Sequence, residues 1–241
     1  MNILPNIQII DLALYFDSVL VISDVHIGYE EALNKQGILV PRLQFNDIIN
    51  KMEKIFESLE NEKIEKIIVN GDLKHEFGAI SQQEWRNTLK FIDLLSGHCS
   101  EIILVKGNHD AILGPIADKR NIKILECAAL KDILVCHGDK IPAVQALKNI
   151  STVIIGHEHP SVPIRDSARV ENFKCFLKGR YKGRNLIVQP SFNTIVQGTN
   201  ILRGQTLSPL LKQNLDNFEV FVIEDKVYQF GKLKTLRKNF A

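Results

Sequence analysis

Three short apolar runs constrain the fold of this chain more than any other feature: Val19-Leu20-Val21-Ile22, Ile67-Ile68-Val69 and Ile102-Ile103-Leu104-Val105. Each is too short for a helix and rich in β-branched residues, so each reads as a buried strand. The segments between them carry the other periodicity. From Leu43 to Leu59, the residues Phe45, Ile48, Ile49, Met52, Ile55, Phe56 and Leu59 recur on one helical face. Residues 81–97 open with Ser81 and Glu84 at capping-box spacing, continue with Trp85, Leu89, Ile92 and Leu95 on one face, and stop at Gly97. Strand, helix, strand, helix, strand is the order of a mostly parallel sheet covered by helices.

Two apolar runs around Asp17-Ser18 read as a hairpin over residues 12–23, and residues 29–36 as a short helix ended by Gly37 and by Pro41 beyond it. After residue 120 the texture changes to short strands: 122–125, 132–136, 152–155, 173–177, 186–188, 194–196, and a last hairpin of 218–223 with 227–230. A second sheet is needed to hold them. The basic end, with Lys232, Lys234, Arg237 and Lys238, reads as a frayed, solvated tail. No linker, repeat or low-complexity segment divides the 241 residues, so we expect a single domain over 1–241.

The net charge of +2 is too small to argue by itself for nucleic acid or membrane. No segment approaches the length of a membrane span, and the N-terminus does not resemble a signal peptide. Cys99, Cys127, Cys136 and Cys175 form no C-x-x-C pair. Together these predict a soluble, cytoplasmic protein with free thiols.

Five expected strand ends carry one chemistry: Asp24 with His26, Asp72, Asn108-His109-Asp110, His137, and His157 with His159. One such turn is an ordinary solvated loop; five in order are not. In extended chain residues i and i+2 face the same side, so Asp24 with His26, and His157 with His159, each offer a pair of ligands to one point. Leaving His109 aside, the donors are two carboxylates, one amide oxygen and four imidazoles. That set exceeds one catalytic zinc and fits two divalent ions sharing a carboxylate. Its mixture of nitrogen and oxygen suits manganese first, or iron, zinc, nickel or cobalt, over magnesium and calcium. Two dications over two carboxylates leave about +2 of charge, which suits a phosphate.

D-x-H, G-D, G-N-H-D, H-G and G-H-x-H, in this order over residues 19–160, resemble the calcineurin-like metallophosphoesterases. The segments Gly71-Asp72-Leu73-Lys74-His75-Glu76-Phe77-Gly78 and Gln189-Pro190-Ser191-Phe192-Asn193 are similar to archaeal and bacterial phosphoesterases of the ICC-like, DNA-ligase-associated type. The resemblance implies an α/β four-layer sandwich of two mixed sheets flanked by helices. It implies that Asp24, His26 and His159 hold one metal, that Asn108, His137 and His157 hold the other, and that Asp72 bridges them. It further implies that His109 gives a proton to the leaving oxygen, oriented by Asp110, while hydroxide held on the metals attacks. Here a thiol, Cys136, precedes His137, and we read it as core.

His75, Arg165 and Arg169 are the candidate substrate contacts, the arginines belonging to a basic stretch over residues 165–184 whose other reading is a solvated strand face. The substrate expected is a phosphodiester, DNA, RNA or a nucleotide. The competing functions are a phosphomonoesterase and a nucleic-acid or protein interaction module with structural metals.

Overall fold

The computed structural model describes residues 1–76, 81–110, 113–120, 122–166 and 169–240. An antiparallel meander of β1 (Asn2–Leu4), β2 (Ile7–Ile10) and β3 (Ala13–Phe16) feeds β4 (Val19–Ser23), which lies parallel to β5 (Lys66–Asn70), β6 (Glu101–Val105) and β7 (Lys123–Leu125). All five residues of β4 are buried, as the unbroken apolar run requires. The connections are helical: α1 (Tyr29–Lys35) and α2 (Gln44–Ser58) between β4 and β5, α3 (Gln82–Ser96) before β6, and α4 (Gly114–Arg120) after it.

The second sheet contains β8 (Cys127–Leu130), β9 (Ile133–Cys136), β10 (Thr152–Ile155), β11 (Pro160–Asp166), β12 (Arg169–Tyr181), β13 (Arg184–Val188), β14 (Thr199–Asn200), β15 (Glu219–Ile223) and β16 (Val227–Lys232). Its order is β14-β11-β12-β13-β10-β9-β8, with β15 and then β16 added beside β12. Strands β9, β10 and β13 are mutually parallel. Alternation of side chains divides this sheet between two cores. Val135, Ile154, Phe176 and Phe221 join a cluster shared with the first sheet and with Ile48, Met52 and Phe91 of the helices. Cys136, Val153, Ile155, Leu177 and Val222 face the other way, against Leu210, Leu211, Leu215, Leu233 and Leu236. Each fully buried aliphatic side chain contributes about 1.5–3 kcal/mol. The architecture is the α/β four-layer sandwich of two mixed sheets flanked by helices.

Two expectations are corrected. Residues 194–196 are not a strand, because the Asn193 side-chain oxygen accepts the N–H groups of Ile195 at 2.8 Å and Val196 at 3.3 Å and holds them in a turn. The basic end is not a frayed tail but a helix, α5 (Leu233–Phe240), seated by buried Leu233 and Leu236 and by an Arg237–Asp216 ion pair of 2.6 Å. Phe77 and Gly78 lie outside the described residues.

Candidate active site

Every candidate motif follows the C-terminal end of a strand in a parallel ladder: β4, β5 and β6 in one sheet, β9 and β10 in the other. The two sets of ends are laced together. The His157 N–H reaches the Asp24 carboxylate at 3.1 Å, the Phe192 N–H the Ser23 carbonyl at 2.7 Å, and the Asn193 N–H the Asp24 carbonyl at 3.2 Å. Asp24, His26, Asp72, His157 and His159 all have positive φ, between 48° and 62°. Extended-chain alternation therefore does not pair Asp24 with His26 or His157 with His159; left-handed turns do, at a cost of order 1 kcal/mol or more per residue. Glycine at 107 and 156 lets these turns close up, since a Cβ at Gly107 would strike the Asp72 carboxylate and one at Gly156 the side chains of Ser23 and Asp24.

The donors converge as two triads, Asp24/His26/His159 and Asp72/His137/His157, with donor atoms in each within 4.8 Å of one another. His159 Nε2 stands 3.1 Å from Asp24 Oδ1. His137 Nε2 lies 3.2 Å from His157 Nδ1 and 3.1 Å from Asn108 Oδ1, so the amide joins the second triad. Oδ2 of Asp72 faces both, at 3.4 Å from His137 Nε2 and 3.7 Å from His26 Nε2. Each triad draws on both sheets.

These spacings fit cations. With metal–ligand bonds of about 2.1 Å, neighbouring ligands in an octahedral or tetrahedral shell stand roughly 3.0–3.4 Å apart. His26 Nε2 is buried with no hydrogen-bond partner among the described residues. A buried imidazole nitrogen aimed at a carboxylate, beyond hydrogen-bond reach of it, has the surroundings of a group that could take a metal.

The protonation states agree. Burial pushes the His26 imidazole down to about 3 despite the charge of Asp72, and burial with His137 nearby lowers His157; both are neutral and able to ligate. Burial alone would raise Asp24, but the imidazoles of His159, His137 and His26 outweigh it and keep the carboxyl ionised. His137 is raised to about 9, because Asp72 and Asp24 overcome the effect of burial.

His109 stands beside the first triad, its ring 4.9 Å from that of His26. Its N–H donates to Asp72 Oδ1 at 2.8 Å, its carbonyl accepts from Lys74 Nζ at 2.7 Å, and its Nδ1 meets the His75 carbonyl at 2.6 Å. The carboxylate expected to orient it does something else. Asp110 Oδ2 accepts the Gly107 N–H at 3.0 Å, and the Asp110 N–H returns to the Gly107 carbonyl at 3.3 Å, so Asp110 closes its own turn. Burial and the charge of Asp72 raise its carboxyl to about 6.

His75 belongs to the site: its Nδ1 is 3.4 Å from His26 Nδ1, and its ring packs on His109 and edge-on to Tyr29. Arg165 and Arg169 do not. Both are exposed; Arg165 is six residues along β11 from His159, about 20 Å in extended chain, and Arg169 pairs with Glu171. In the same stretch Lys174 donates to Ser191 Oγ at 2.6 Å and Lys178 pairs with Glu219 at 2.9 Å, so the basic run is largely a strand face that satisfies itself. Cys136 is buried in the second core, as expected.

Sequence reasoning missed the anchoring residues. Ser81 Oγ accepts the Glu84 N–H at 3.0 Å, as a capping box requires, but the Glu84 carboxylate turns away to accept the N–H groups of His75 at 3.0 Å and Glu76 at 3.1 Å. The capping-box spacing was visible; its diversion to the loop was not.

A family model for calcineurin-like phosphoesterases matches residues 18–167, the span that contains all five motifs. The chain belongs to the calcineurin-like phosphoesterase family. Members of this family bind divalent metals, and the two triads are where this phosphoesterase could hold them. Among solved structures, a nuclease MPE of Pseudomonas putida shares the fold at a TM-score of 0.65 and 17% identity, covering 92% of this chain and 94% of that one. A single mutant of Vps29 from Entamoeba histolytica aligns at 0.37 and 18% identity, over 88% and 91%, and a predicted phosphoesterase of Streptococcus pneumoniae TIGR4 at 0.33 and 13%, over 89% and 97%. Comparison with curated proteins finds no match.

Proposed function

We propose that this phosphoesterase is a dinuclear metal-dependent phosphodiesterase acting on nucleic acid or a nucleotide diester. The observation that carries the reading is Asp72 Oδ2, set between His26 of one triad and His137 of the other. Asp24, His26 and His159 would hold one divalent ion and Asn108, His137 and His157 the second, with Asp72 shared. The ion is taken as manganese first, with iron, zinc, nickel and cobalt as the others that a mixed nitrogen and oxygen set accepts. Bound there, the ions would supply Lewis acidity toward the phosphate oxygens and make water acidic enough to attack near neutral pH.

The chain's own residues do the rest. Asp72 Oδ1 and the Lys74 ammonium fix the His109 backbone, and the His75 carbonyl takes the Nδ1 side of its ring. Nε2 is thereby the nitrogen that would give a proton to the leaving oxygen. Burial of Asp24, Asp72 and His137 keeps bulk water from screening the charges placed there. A fold shared with a nuclease directs the substrate search toward nucleic acid. The four free thiols fit a reducing compartment, the cytoplasm, and among the described residues no helix is long and apolar enough to cross a membrane.

The test is metal-loaded protein presented with single-stranded DNA, RNA, a cyclic nucleotide and a phosphomonoester. We expect about two ions per chain and chelator-sensitive cleavage of a diester. Activity confined to the monoester rejects the diesterase; less than one ion per chain without chelator-sensitive hydrolysis rejects the dinuclear reading.

A further inference from the structure

We propose that Lys74 is a positioning residue for this reaction, fixing the proton donor His109 through its backbone; the inference rests on the phosphodiesterase reading above. Lys74 heads the large side chains that are fully buried, with none of its surface exposed. Burying an ammonium is costly unless its surroundings answer it, so a lysine in this position calls for a reason. Its Nζ donates to the His109 carbonyl at 2.7 Å and to the Glu76 carbonyl. Its backbone forms an isolated parallel bridge with Ile27, one residue beyond His26. The carboxylates of Glu84 and Asp110 lie within electrostatic reach.

The geometry gives that charge a task. His109 is fastened at its N–H by Asp72, at its carbonyl by Lys74 and at Nδ1 by the His75 carbonyl, so three fastenings come from one four-residue turn. That turn is itself tied down by Glu84, which takes the N–H groups of His75 and Glu76. Without the Lys74 ammonium the 109–110 peptide is held only by the long 3.3 Å bond from the Asp110 N–H to the Gly107 carbonyl, and it can tilt about that bond. The ring then loses its register with the His75 carbonyl.

In the reaction, water adds to phosphorus while the bond to the leaving group breaks with its electron pair on oxygen. The Nε2 proton of His109 ends on that oxygen, and the neutral imidazole recovers a proton from the one that the attacking water gives up. An error of about 1 Å in the donor's place is felt only when the leaving oxygen needs the proton.

The experiment compares two diesters, bis(p-nitrophenyl) phosphate, whose leaving group departs without help, and a dinucleotide, whose alkoxide does not. In Lys74→Gln we expect kcat on the dinucleotide to fall roughly 100-fold and on the nitrophenyl ester less than about threefold, with metal content unchanged. Adding Lys74→Gln to His109→Ala should cost nothing more on the dinucleotide. Lys74→Arg, which keeps a donor for the carbonyl, should show the same split in smaller measure, and it carries the test alone if the Gln chain does not fold. Equal losses on both esters, loss of metal in proportion to activity, or losses that multiply with His109→Ala overturn the proposal. A wild-type chain that cleaves neither ester with any metal overturns the phosphodiesterase reading instead.

Discussion

The carbonyl oxygen of His75 lies 2.6 Å from Nδ1 of His109, and this one contact decides which nitrogen of the His109 ring carries the hydrogen. A carbonyl can only accept, so Nδ1 carries the hydrogen, and in the proposed reaction Nε2 would be the nitrogen that serves the leaving oxygen. His109→Ala should accordingly lower kcat on a dinucleotide by roughly 100- to 1,000-fold, with KM within about threefold and both ions retained. Steady-state kinetics beside elemental analysis checks this; loss of an ion would make His109 a ligand rather than a donor.

Asp72 presents one oxygen to His109 N–H and the other to both triads. Asp72→Ala should therefore abolish paired binding, leaving at most one ion after dialysis. Manganese at 100 times Kd should stabilise the wild type by about 2.7 kcal/mol per site, about 5.4 kcal/mol for two, and the variant by about 2.7 kcal/mol or less. Melting curves with and without metal provide the comparison.

Gly107→Ala should be among the most damaging small substitutions, because its Cβ would meet the Asp72 carboxylate and backbone nitrogen. We expect a loss of roughly 2–4 kcal/mol and of metal binding together. Gly114→Ala, where nothing described lies within 4 Å, is the control and should change stability by less than about 1 kcal/mol. Urea titration of both separates crowding from glycine loss in general.

Lys174, which is not itself a candidate ligand, supplies a pH signature. Burial, against the opposing charge of Asp24, lowers its ammonium from 10.5 to about 7. Between pH 7 and 10.5 the unfolded chain holds a proton that the folded one does not, so stability rises with pH across that window; below pH 7 both forms are charged and the cost is fully present. Relative to Lys174→Met, the wild type should gain on the order of 1–2 kcal/mol from pH 7 to 9.5, a figure reduced for the partial exposure of the side chain. A difference flat with pH would show that Lys174 stays charged in the fold.

The parallel strands and the donor set were legible because each is written locally: the apolar runs of β4, β5 and β6 end directly in their motifs. What was hidden depends on where side chains turn. Asn193 spends its oxygen on two N–H groups, so the apolar Ile195-Val196 pair looks like a strand and is a turn. Leu233 and Leu236 are three residues apart among lysines and arginines, too sparse a stripe to announce α5. Asp110 beside His109 suggests an orienting pair, but the chain folds tightly enough there for the carboxylate to reach Gly107. The left-handed φ of five donor residues has no composition signal, since none of the five is glycine.

Because each triad takes members from both sheets, the centre is a test of assembly. Residues through β7 bring Asp24, His26, Asp72 and Asn108, and residues from β8 onward bring His137, His157 and His159. A chain cut between β7 and β8 would yield two fragments, neither owning a complete donor set. On the proposed reading cation capture would be a checkpoint: an ion held tightly would report that the two halves of the chain have found each other.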